Sequence, residues 1–190
     1  MGGLIVGALL LFLVGCGTVS SLPSPLVETA TPRAAHPATT PALRTAAAPG
    51  VVFEGGTAGA LWELADFRHE LLPDRVRLTW QVKGGLSVPG YTLRAVSNEA
   101  DPHPTNPGPF WGQVRVDLIF FDVYARAFPL QQRFPVEAFD TTSPVVRVGL
   151  YPTFDDTAVG FSVGLRQRVP LEVYELVTPS RLVVDVLRAP

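Results

Sequence analysis

The chain has 190 residues, a formal net charge of -2 and a pI of about 5.9; Lys83 is its single lysine and Cys16 its single cysteine. So nearly neutral a chain offers no field to gather nucleic acid or an anionic membrane surface. One cysteine excludes an intrachain disulfide and a cysteine-based metal cage, so a hydrophobic core alone must hold any folded domain.

Three segments follow in order: a signal peptide at 1–15, a tether at 16–57 and a folded domain at 58–190. The uninterrupted apolar run from Leu4 to Val14 is too short to span a bilayer, which takes roughly 20 residues, but matches a signal-peptide hydrophobic region of about 7–15. Its ending, Leu13-Val14-Gly15-Cys16, resembles the lipobox of bacterial lipoproteins. That resemblance implies cleavage before Cys16, lipidation of its thiol with palmitate-type chains, and export to the extracytoplasmic side of a membrane. Met1-Gly2-Gly3 departs from the pattern, because no Lys or Arg precedes the apolar run. From Gly17 to Gly50, Pro, Ala, Thr and Ser dominate without hydrophobic period, which predicts a tether too poor in apolar surface to fold.

Beyond Leu61 the period becomes two. In "DRVRLTWQVK" Val76, Leu78, Trp80 and Val82 share one face, while Arg75, Arg77, Thr79, Gln81 and Lys83 share the other; this predicts a half-buried strand. "GYTLRAV" follows a Gly-Gly and Pro-Gly punctuated turn. In "GQVRVDLIFFDVYAR" the run Ile119-Phe120-Phe121 predicts a strand covered on both faces or bulged. "PVEAF" at 135–139 suggests a helical turn. "PVVRVGLYP", "TAVGFSVGLR", "PLEVYELV" and "SRLVVDVLR" complete the set. The expectation is an all-β domain, a sandwich or partly open barrel of about seven to nine mostly antiparallel strands.

Gly160-Phe161-Ser162-Val163-Gly164 matches G-x-S-x-G literally. A nucleophile elbow needs a strand, a sharp turn at the serine and then a helix, with a histidine later in the chain. Here Val159, Phe161, Val163 and Leu165 alternate straight through, and no histidine follows His103. The motif therefore reads as one strand, with Phe161 and Val163 facing the core. Its small Gly160, Ser162, Gly164 face leaves room for a neighbouring aromatic or loop to lie close. His36, His69 and His103 are scattered, so no metal-ligand spacing exists, and Asp155-Asp156 lacks the repeated oxygens of a calcium loop. Neither a phosphate cradle nor a carboxylate pair for acid–base work is recognisable. The domain is expected to be non-catalytic and free of cofactor and metal.

The strand set resembles the AMIN-like domain of bacterial exported proteins and lipoproteins, over about Leu64 to Arg188. The resemblance lies in His69 ahead of Asp74-Arg75, in Pro89-Gly90-Tyr91, in Gly164-Leu165, in Val173 with Leu176, and in the closing Pro179 to Val186 strand. Leu71-Leu72-Pro73 departs from it, where the family tends to have a Gly-aromatic pair. The resemblance implies a β-sandwich related to the AMIN modules of cell-wall amidases and secretins, which bind peptidoglycan or localise partners in the envelope. It carries no catalytic residues over.

Candidate contacts are Phe110 and Trp111, beside the Pro-rich loop, as a platform for a sugar ring. Trp111 also reads as the first core residue of the next strand. Arg77, Arg94 and Arg115, with Arg75, lie on polar strand faces, either gripping peptide-stem carboxylates or simply solvated. His69 and Asp74 bracket one turn as a possible pair. These expectations describe an envelope lipoprotein, anchored through Cys16, whose domain binds peptidoglycan or docks onto an envelope protein; the alternative is a carrier of an apolar molecule within the β layers.

Overall fold

The computed structural model describes residues 52–97 and 111–189. Cys16, Phe110, the expected signal peptide and the expected tether as far as residue 51 lie outside the described residues.

Ten strands form two five-stranded sheets. In chain order they are β1 (Val52–Gly55), β2 (Trp62–Leu71), β3 (Arg75–Lys83), β4 (Tyr91–Ser97), β5 (Val114–Phe121), β6 (Val123–Tyr124), β7 (Val145–Tyr151), β8 (Ala158–Leu165), β9 (Leu171–Val177) and β10 (Ser180–Leu187). One sheet runs β1-β4-β5-β8-β7 and the other β6-β2-β3-β10-β9. All pairings between neighbours are antiparallel except β2 with β6. The fold is all-β, as the alternating pattern predicts.

Strand β3 follows its sequence to the letter, burying Val76, Leu78, Trp80 and Val82 in alternation. The alternation changes parity inside β2 and β7, and each change has a cause. In β2 the register slips between Leu64 and Asp66, so Ala65 is bulged and the inward set passes from Trp62 and Leu64 to Phe67. A slip between Val145 and Arg147 likewise moves the inward set of β7 to Val148. An extra residue shifts a period of two by one, which a pattern reading cannot foresee. Strand β5 shows no such slip and is buried on both faces from Val114 to Leu118.

The two sheets close on one core, centred on Trp80. Its ring lies 5.2 Å from Phe67, 5.5 Å from Phe161 and 6.5 Å from Phe120, centroid to centroid. Phe134, from the segment between β6 and β7, wedges between Phe67 and Phe161 at 4.9 and 5.1 Å. Space left between the layers near Leu78, Trp80, Leu93 and Val116 is only about 10 Å³, room for no more than one water.

Two expectations need correction. The folded part begins before residue 58, because β1 pairs with β4 and sends Phe53, 5% exposed, into the core. "PVEAF" is not helical; the one described helix, α1 (Leu130–Arg133), precedes it, and Val136 instead bridges to Val148 of β7. The chain passes between sheets from β5 to β6 through Asp122, at φ 57°, a left-handed conformation that Asp tolerates better than most side chains.

Candidate functional site: two outer sheet faces

The predicted contact residues do not converge. Trp111, Arg94 and Arg115 lie on the outer face of the β1-β4-β5-β8-β7 sheet, whereas Arg77 lies on the outer face of the other, on β3.

On the first face, Arg115 and Asp117 stand two apart on β5, so alternation puts both outward. Yet Arg115 is 1% exposed and Asp117 6%. The Arg115 guanidinium approaches Asp117 at 2.7 Å, and the Ser162 hydroxyl of β8 donates to the same carboxylate at 2.9 Å. Burial pushes the Asp117 carboxyl above its usual range, against the opposing pull of Arg115 and Ser162. Ser162 is wholly buried and donates its proton within a straight strand, which is not the geometry of an activated nucleophile.

Trp111 is no core residue. It precedes β5 and lies half-buried across the small face of β8 and β7. A Cβ added at Gly164 would sit 2.4 Å from the Trp111 carbonyl oxygen, and one at Gly149 would sit 2.2 Å from the ring tip. The missing side chains are what seat the indole. The Arg147 guanidinium lies 4.6 Å from its ring centroid and also pairs with Glu137. Arg94 is exposed and stands opposite Asp117 in the β4–β5 register, where its charge helps to draw that carboxyl down.

On the second face, strand register sets outward side chains in rows. Glu70, Arg77, Asp185 and Glu172 make one row, alternating in charge from β2 across β3 and β10 to β9. Asp185, fully buried, receives Arg77 through two bonds of 2.8 Å and Arg75 at 3.0 Å. Arg75 also holds Asp74 at 2.7 Å and Glu172 at 2.9 Å. The hydrogen bonds that Arg75 donates to Asp74 and Asp185 raise its pKa, and those that Arg77 donates to Asp185 raise that of Arg77. Burial, with a hydrogen bond to Glu172, pushes Tyr174 up to about 12. Arg75, Arg77 and Arg115 are therefore not free to grip a ligand carboxylate; each already holds an internal one. His69 and Asp74 do not pair: the imidazole packs on Phe139 at 5.1 Å, while Asp74 holds Arg75.

The neighbouring rows are different. Asp66, Gln81, Arg181 and Leu176 form one, and Arg68, Thr79, Val183 and Tyr174 the next. The small Thr79 and Val183 between longer neighbours leave an open depression of about 140 Å³. A wider groove of about 470 Å³ lies where Leu61, Lys83 and Tyr124 meet. Its cations are engaged, Lys83 by Glu63 at 3.0 Å and Arg126 over the Tyr124 ring.

Among the described residues, no group of three or more His, Cys, Asp or Glu is placed to hold a metal, and no helix is long and apolar enough to cross a membrane. Compared with protein-family models, with curated proteins and with solved structures, the chain matches none.

The sequence reading missed Asp117, Arg147, Gln81, Arg181 and Asp185. A signal existed for two of them: Asp117 and Asp185 each interrupt a strand otherwise dense in Val, Leu and Ile, and an acid there must find a cation. The others are surface residues that only register brings together.

Proposed function

We propose that this is an exported lipoprotein, acylated on Cys16, whose β-sandwich is a non-catalytic module binding cell-wall polymer. The observation that carries the reading is where the fold leaves room. The space between the layers beside Trp80 is about 10 Å³, far below the several hundred that a small-molecule pocket takes, which speaks against carriage of an apolar ligand there. Groups suited to a polymer lie outside instead: an indole seated on glycines beside Arg147, and an open polar depression on the opposite face. A polymer strand is met by an open face better than by an enclosed cavity. The residues that resemble the AMIN-like family support the same reading, as does the lipobox-like Leu13 to Cys16.

Co-sedimentation of the full chain, in detergent, with purified peptidoglycan sacculi tests it. Sedimentation at low and moderate salt is expected. Its absence at both would leave docking onto an envelope protein as the better reading. Acylation is tested by labelling cells with a tagged fatty acid, where the label is expected on the wild type and not on Cys16→Ala.

A further inference from the structure

We infer that the depression on the outer face of β2, β3 and β10 is the subsite for a carboxylate of the polymer's peptide stem, with Arg181 as the residue that grips it. The inference rests on the wall-binding reading and adds the chemical group and the residues.

Three arginines line the depression. Arg77 holds Asp185, and Arg68 reaches Asp66 at 2.6 Å. Arg181 has no acidic partner; its one bond among the described residues runs from Nε to the Pro179 carbonyl at 3.3 Å. That bond occupies one donor and steadies the side chain, while the terminal nitrogens keep their planar pair of donors for a ligand. Arg181 stands opposite Gln81 on β3 and Leu176 on β9.

The Gln81 amide and the Thr79 hydroxyl have no partner among the described residues, and both line the depression, half-buried. Two carboxylates line the same depression, Asp66, held by Arg68, and Glu70, two outward rows from Arg181, so the uncommitted donors gather at the end beside Arg181. Val183 is an apolar lining residue, beside the small Thr79. A donor-rich end with one uncommitted guanidinium selects a ligand that is rich in acceptors and carries a single negative charge. Val183 and Leu176 in the lining suit the aliphatic part of a short peptide. A volume of about 140 Å³ accepts one residue of a chain and leaves the remainder outside, as a polymer requires. A neutral glycan would leave the guanidinium without a counter-charge.

The test is calorimetric titration of the full chain, in detergent, with muramyl dipeptide, which ends in one free carboxylate, and with its terminal carboxamide. The acid is expected to bind the wild type, and the carboxamide at least about tenfold more weakly, because a charge-assisted pair becomes a neutral one. Arg181→Ala should weaken the acid by a similar factor and leave the carboxamide unchanged. Arg181→Lys should recover only part, since an ammonium cannot offer the planar fork. Gln81→Ala, a second variant outside the core, should weaken the acid several-fold, and Lys83→Ala should have no effect. Equal binding of acid and carboxamide overturns the inference. So does equal binding by Arg181→Ala and wild type, or no measurable binding of the acid to the wild type. In those cases sacculi that still sediment with the chain leave the wall-binding reading standing. Arg181-dependent binding of the acid without sedimentation of sacculi keeps the carboxylate site and sinks the polymer.

Discussion

At the level of single residues, the molecule's charges divide into those that build the fold and those left for a partner. Arg115, Asp117 and Ser162 are of the first kind, buried on an outward-facing strand surface. Asp117→Asn removes the carboxylate from a buried guanidinium, and the expected cost is about 3–5 kcal/mol, read from urea denaturation. The double variant Arg115→Leu/Asp117→Leu should recover most of that loss, since no uncompensated charge remains; if it is no more stable than Asp117→Asn alone, the pair is not the source of the cost. Tyr174 gives a prediction in pH. Its phenol ionises at the ordinary 10.0 when unfolded and holds its proton to about 12 when folded. The folded state thus binds the extra proton between those values. Its contribution to stability is full below pH 10 and is lost as pH rises through about 12. Tyr174→Phe should flatten that decline in denaturation midpoints measured across the alkaline range. Arg115 and Asp117 stand at i and i+2, a spacing that puts them on one strand face, although the sequence reading missed the acid. Arg77 with Asp185 was not legible, because the two meet only through the register of β3 and β10, and no local pattern encodes a register.

Strands show the same division between what a period reveals and what it conceals. The inward faces of β3 and β8 were readable as written, down to Phe161 and Val163, because neither strand contains an extra residue. Strand β2 was readable only up to its bulge, after which a one-residue slip reverses every face. The two shortest strands, β1 and β6, carry too few residues to show a period, and β1 was missed for that reason. Its contribution is measurable: a chain that starts at residue 58 lacks Phe53 and leaves β4 at an open edge. Such a chain should melt well below one starting at residue 45, and Phe53→Ala in the longer chain should cost about 3–5 kcal/mol. The small face of β8 was also readable as a place of close approach, although not which aromatic fills it. Gly164→Ala puts a methyl group against the Trp111 backbone, 2.4 Å from its oxygen, so the expected loss is about 1–3 kcal/mol. Gly149→Ala meets only the ring tip, at 2.2 Å; the indole can swing aside, so a smaller loss with a shifted tryptophan emission is expected. Equal losses and unchanged emission would show that Trp111 is not seated on these glycines.

For the whole molecule, the decisive feature is a filled interior between two built outer faces. The aromatic set of Trp80, Phe67, Phe120, Phe134 and Phe161 packs between the sheets, where a carrier would hold its ligand. Composition and period sufficed for the all-β class, but the location of the free donors depends on which arginines the fold has already neutralised, and that is a property of the assembled sheets. Recognition is therefore expected outside the sandwich, on the face that carries Thr79, Gln81, Val183 and Arg181. The direct measurement is methyl-resolved NMR of the chain titrated with solubilised peptidoglycan fragments. Perturbation of the Thr79 and Val183 methyls, with Leu78, Leu182 and Val184 of the same strands unmoved, is the predicted result. Shifts concentrated at those inward methyls and the Trp80 indole would contradict it and place the ligand between the sheets.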